Sequence, residues 1–211
     1  MAVNPFVVLS NKISCSLDEK RDKKICGRSI GRFIPTPYAD SHGATGSQSV
    51  PYSGLEKMLD DYMPTAEDSF IDIGCGQGRV IAYLLDRNVP CKITGVELNP
   101  DVADVAKSWT SGYPNVKIIE GDAFKLDYNG YTALFMYRPM EPDTFLTFIE
   151  QLENTLTHAV RLFYYADGQS GYLLNERPGW DLIRREEIYK VNGRYIHREP
   201  QRFSVWTYTP D

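Results

Sequence analysis

Hydrophobic positions along this chain change rhythm near residue 50. From Pro51 to Tyr62, apolar side chains recur at Leu55, Met58, Leu59 and Tyr62. Spacings of three and four predict a helix with one apolar face. Ser69–Ile73 is a short apolar run that ends in glycines and predicts a strand. The pattern then alternates: a helix over Arg79–Arg87, a strand over Cys91–Val96, a helix over Pro100–Trp109 and a strand over Val116–Glu120. Tyr131–Tyr137 is almost wholly apolar, as a strand buried on both faces requires. Asp143–His158 follows as a helix with Phe145, Phe148, Ile149, Leu152 and Leu156 on one side, and Val160–Tyr165 as a fifth strand. The last third predicts strands over Trp180–Val191 and Phe203–Thr209, with the turn signal Asn192-Gly193 between them. Alternating strands and helices closed by a late hairpin predict a mostly parallel sheet with an antiparallel edge.

Residues 1–45 have no such rhythm. They hold the mixed-charge run Asp18-Glu19-Lys20-Arg21-Asp22-Lys23-Lys24 and a loop-rich stretch from Pro35 to Gly46. The expected organisation is an extension over residues 1–45, with one short helix and a long loop able to act as a lid, then a single domain over residues 46–211.

Composition narrows the class. The 211 residues carry a net charge of −5, which disfavours a nucleic-acid backbone as partner because phosphates require a basic footprint. Cys15, Cys26, Cys75 and Cys91 form no C-x-x-C pair and match no zinc spacing, and the three histidines are far apart, so no metal is expected. Free thiols and the absence of a long apolar run point to the cytoplasm and away from membranes.

The chemistry is concentrated where the first strand meets its helix, in Asp72-Ile73-Gly74-Cys75-Gly76-Gln77-Gly78-Arg79. Alternate glycines let the backbone turn tightly and approach a ligand, and the helix start behind them offers unpaired N–H groups. Dinucleotide loops use G-x-G-x-x-G. Here the third glycine comes one position early and Arg79 takes its place. Asp72, two residues before the first glycine, would repel a pyrophosphate but suits an ammonium group. S-adenosylmethionine carries such an ammonium and no phosphate. Glu97 ends the second strand, where a carboxylate can accept from ribose hydroxyls. Asp122 follows the third strand, where it can accept from an adenine amino group while the Ala123 N–H reaches a ring nitrogen. Three acids at the carboxyl ends of consecutive strands stand where open α/β sheets bind ligands.

These segments, together with Gly95-Val96-Glu97-Leu98-Asn99-Pro100 and Ile118-Ile119-Glu120-Gly121-Asp122-Ala123, resemble the class I S-adenosylmethionine-dependent methyltransferases. The resemblance is close over residues 70–123 and looser to about residue 166. It implies a Rossmann-like seven-stranded sheet of order 3-2-1-4-5-7-6 with S-adenosylmethionine as cofactor. It also implies that Asp72, Gly74, Cys75, Gly76 and Gly78 cradle the methionine half, with Glu97 on the ribose and Leu98, Asp122 and Ala123 at the adenine.

The acceptor side is less well marked. Amino-methylating nucleic-acid enzymes of this class carry Asn or Asp before Pro-Pro and an aromatic residue after the fourth strand. This chain has Tyr137-Arg138-Pro139-Met140. Arginine has no acceptor atom, so it cannot take the target amine's hydrogen bond. Tyr137 and Arg138 are the candidate catalytic residues, with Tyr38, His42 and Tyr52 as neighbours from the loop region. Arg138 either grips an anionic acceptor or pairs with Glu141 or Asp143. The expected acceptor is a small molecule or a protein. The loop also resembles that of the non-SET protein lysine methyltransferases. A cofactor-binding module without catalysis is the remaining alternative.

Overall fold

The computed structural model describes residues 4–210. Five parallel strands form the centre of the sheet: β1 (Ser69–Ile73), β2 (Lys92–Glu97), β3 (Val116–Glu120), β4 (Ala133–Tyr137) and β5 (Val160–Tyr165). Two antiparallel strands, β6 (Trp180–Glu187) and β9 (Arg202–Tyr208), complete it in the order β3-β2-β1-β4-β5-β9-β6. That is the order the resemblance implied.

Successive residues of a strand point to opposite faces, and two cores follow from this. Phe70, Phe135, Phe163 and Tyr165 face α3 (Tyr52–Met58) and α4 (Arg79–Asp86). Ile71, Ile73, Leu134, Met136, Leu162 and Tyr164 face α6 (Pro142–Thr155), through its Phe145, Phe148, Ile149 and Leu152. α5 (Pro100–Thr110) lies against β2 and β3.

Two expectations need correction. The charged run of the extension lies not in a short helix but in one of 22 residues. α1 runs over Pro5–Cys26, capped by the Asn4 side chain and ended at Gly27 in the left-handed conformation. Its buried face mixes Val7 and Cys26 with Asn11, Ser14 and Asp22, so its periodicity is not apolar. Those polar groups find distant partners: Asn11 Nδ2 donates to the Ile196 carbonyl and Ser14 Oγ to that of Tyr195. The last strands also differ from expectation. β6 ends at Glu187, and Asn192-Gly193 turns a separate pair, β7 (Lys190–Val191) and β8 (Arg194–Tyr195). Both turn residues have positive φ (49° and 80°), as a tight hairpin requires. Between α1 and α3 lie residues 27–51, which include α2 (Ala39–His42). No helix among the described residues is long and apolar enough to cross a membrane.

Candidate cofactor site

A cavity of about 630 Å³ opens at the carboxyl ends of β1, β2, β3 and β4. Its floor and walls include Gly74, Glu97, Leu98, Asp122, Ala123 and Tyr137, all expected from sequence. Its cover is the segment 34–48, together with Met140, Asp143, Thr144 and Thr147.

Asp72, Cys75, Gly76 and Gly78 do not line the cavity; they stand behind that surface. Asp72 is 2% exposed, and its Oδ2 has no hydrogen-bond partner among the described residues. Burial raises its pKa well above the usual carboxylate range, and the charge of Glu97 adds to the rise. A buried acceptor with nothing to accept from is a poor structural choice and a good place for an incoming cation. The alternating glycines fit a ligand as well. Gly74 (φ 74°) sits so near the loop after β4 that an added Cβ would stand 2.6 Å from Cβ of Pro139. Gly74 thus offers bare backbone to the cavity where a side chain has no room, and the site accommodates a cofactor with an ammonium and no phosphate.

Glu97 is buried and does two jobs. Its Oε2 accepts from the Gly76 N–H at 2.9 Å and its Oε1 from the Asn99 N–H at 2.9 Å. Burial raises its pKa and these N–H donors oppose the rise. Each oxygen keeps lone-pair capacity beyond those bonds, so the carboxylate can take ribose hydroxyls as well. Asp122 accepts from the Phe124 N–H at 3.0 Å, which starts the turn that presents Ala123 to the cavity. Cys75 is buried against the back of the loop: an added Cβ at Gly95 would meet its Sγ. Gly78 (φ 95°) starts α4 under the ring of Trp109.

On the acceptor side, Tyr137 lines the cavity and packs edge-to-face on Tyr165, with centroids 5.1 Å apart. Burial pushes its phenol up to about 12, so it holds its proton at neutral pH. Arg138 has φ 38°, the left-handed region that L side chains seldom adopt. Its carbonyl accepts from Thr45 Oγ1 at 2.6 Å, whereas its side chain is not part of the cavity lining. No ion pair joins it to Glu141 or Asp143 among the described residues. His42 lines the cavity from the cover and is exposed. Tyr38 stacks edge-on against it and is not part of the lining. Tyr52 is buried on the other side of the sheet, and its hydroxyl has no hydrogen-bond partner among the described residues.

Sequence reasoning missed two residues of the loop itself. Gln77 is 6% exposed, and its Nε2 donates to the carbonyls of Ile30 (3.3 Å) and Arg32 (3.0 Å). Arg79 is 6% exposed and grips Asp22 of α1 through two hydrogen bonds of 3.0 and 2.6 Å. The signal available was the presence of two long polar side chains beside the glycines, with a mixed-charge run upstream whose Asp22 receives one of them.

A family model described as a methyltransferase domain matches residues 70–159. A ribosomal RNA small subunit methyltransferase A of Pseudomonas syringae pv. tomato is 33% identical over 75 residues, covering 36% of this chain and 27% of that protein. The chain therefore spans about a quarter of that relative's length. A protein-lysine N-methyltransferase of Saccharolobus islandicus is 30% identical over 94 residues, covering 42% of this chain and 56% of that protein. Among solved structures, an RNA methyltransferase from Salinibacter ruber in complex with S-adenosyl-L-homocysteine superposes with a TM-score of 0.55 at 20% identity, covering 77% of this chain and 94% of that one.

Proposed function

We propose that this chain, which belongs to the class I S-adenosylmethionine-dependent methyltransferases by its sheet order and by the domain model its residues 70–159 match, is an enzyme that transfers a methyl group to an acceptor entering under the segment 34–48. The orphaned, buried carboxyl oxygen of Asp72 carries this reading. When bound, S-adenosylmethionine supplies a methyl group on a sulfonium, whose carbon–sulfur bond breaks toward sulfur as the acceptor's lone pair bonds the carbon.

The chain's own residues bind, orient and exclude water. Asp72 receives the ammonium, Glu97 the ribose hydroxyls, and Leu98, Asp122 and Ala123 the adenine. Gly74, Cys75, Gly76 and Gly78 shape the bare backbone beneath. Alignment is the main task, since well-oriented reactants can lower a barrier by roughly 7–11 kcal/mol. Tyr137 forms the wall on the acceptor side. Arg138 keeps two roles for test: its carbonyl fixes the cover, and its guanidinium is available to an acceptor outside the cavity proper.

For the acceptor, the lining is informative. Among the described residues it contains Asp40, Glu97, Asp122 and Asp143 and no lysine or arginine. Such a wall repels a phosphate chain and favours a neutral or amine-bearing small molecule or protein side chain. The relatives do not decide the point, since one is named for ribosomal RNA and another for protein lysine.

Isothermal titration is the direct test. S-adenosylhomocysteine binds and NAD does not; binding of NAD alone overturns the reading. Release of S-adenosylhomocysteine with an amine-bearing acceptor separates the enzyme from a non-catalytic binder.

A further inference from the structure

The cover of the cavity and the glycine loop share one anchor. Ile30 is fully buried; its N–H donates to Asp22 Oδ2 at 3.2 Å, and its carbonyl accepts from both Gln77 Nε2 and Ser49 Oγ. At the other end of the cover, the Val50 carbonyl accepts from Arg79 at 3.4 Å. Both ends of the segment 31–49 are therefore pinned by residues 77 and 79, on either side of Gly78. The tip is docked across the cavity. Thr45 N–H donates to the Pro139 carbonyl at 3.0 Å, and the Glu141 N–H donates to that of Gly43 at 2.7 Å.

We propose that Gln77 is a positioning residue that couples the conformation of the glycine loop to closure of the segment 31–49. Its Nε2 has two hydrogens, and both are used at the root of the cover, on Ile30 and Arg32. Its own carbonyl accepts from Trp109 Nε1 at 2.9 Å, which fixes the backbone from the opposite side. In the present shape of residues 74–78 the amide reaches both Ile30 and Arg32. That shape is held in part by the Gly76 N–H on Glu97. Ser47 of the cover completes the contact: an added Cβ at Gly76 would stand 2.5 Å from its Oγ. A ligand that fixes the glycine loop therefore also fixes the cover, and by reciprocity a closed cover strengthens ligand binding.

This inference rests on the cofactor reading of the cavity. Its test uses hydrogen exchange over residues 31–49, with and without S-adenosylhomocysteine, in the whole protein and in Gln77→Met. In the native protein the ligand slows exchange of this segment at least ten-fold. In Gln77→Met the ligand still binds, about five-fold or more weakly, and exchange of the segment no longer responds to it. A merely structural role would change stability but leave the response intact, so a Gln77→Met segment that still answers the ligand overturns the proposal. A native segment that ignores bound ligand overturns it as well. If the native protein does not bind the ligand at all, the cofactor reading falls first and this inference with it. Should Gln77→Met fail to fold, Gln77→Glu, of equal size with acceptors in place of donors, is expected to show the same loss of response.

Discussion

Asp72 and Glu97 are buried acids at the ends of adjacent strands, and the charge of one raises the proton affinity of the other. Register places Asp72 beside Gly95, two residues before Glu97. Glu97 holds the N–H groups of Gly76 and Asn99, whereas Asp72 Oδ2 has no hydrogen-bond partner among the described residues.

The pair predicts a pH signature. Asp72 has a raised pKa in the fold, so its stability contribution is full below the unfolded carboxylate range and is lost as pH rises through the raised value. Asp72→Asn should therefore stabilise the ligand-free protein at neutral pH. A gain of about 1 kcal/mol would raise the melting temperature by roughly 2–4 °C. The same variant should bind S-adenosylhomocysteine more weakly. At pH values below that raised pKa, native binding should release a proton, because an ammonium favours the ionised carboxyl. Calorimetry in two buffers of different ionisation enthalpy measures that proton; none released removes Asp72 as the ammonium's partner.

Glu97→Ala removes the proposed ribose contacts and the support of the Gly76 N–H together. Hydrogen bonds to charged groups contribute about 1.5–3 kcal/mol, so affinity for S-adenosylhomocysteine should fall roughly ten- to a hundred-fold. Glu97→Gln keeps an acceptor for one N–H and should lose less. Equal affinity in all three proteins would take Glu97 out of the site.

The Arg79–Asp22 pair joins α1 to the start of α4 with Asp22 wholly buried. Removing one partner of a buried pair costs about 3–5 kcal/mol. Urea unfolding of Asp22→Ala should show that loss. The double variant Asp22→Leu with Arg79→Met should lose less than the sum of its single changes.

Arg138 tests the catalytic assignment cleanly because its backbone prefers glycine. A left-handed residue with a side chain costs about 1–2 kcal/mol, so Arg138→Gly should fold at least as stably and keep its affinity for S-adenosylhomocysteine. If the guanidinium binds the acceptor, the acceptor's KM rises while kcat changes little. An unchanged kcat/KM assigns Arg138 a backbone role only.

The sheet was legible because its signals are local. The apolar runs of β1, β4 and β5 and the glycines after β1 report burial and close approach directly. The three acids proposed for the cofactor were legible because strand ends converge on one edge in any parallel sheet. α1 was not, because its inward face holds Asn11, Ser14 and Asp22, whose partners lie on β8, on Ile196 and on α4. A polar buried face has no hydrophobic period to read. Gln77 was hidden for the same reason: its partners, Ile30 and Arg32, are far from it in sequence. The recess of Asp72 behind the cavity wall also needed coordinates, since alternation along β1 gives its face but not its depth.

The meeting of Ile30, Ser49 and Val50 at one point has an evolutionary corollary. A segment whose two ends already touch can be lengthened or exchanged with little penalty, since each doubling of loop length costs only about 0.6 kcal/mol. The stretch between them is a cassette. On the proposed function, new acceptor preferences can be written into it while the residues proposed to hold the donor, at the ends of β1, β2 and β3, are inherited unchanged.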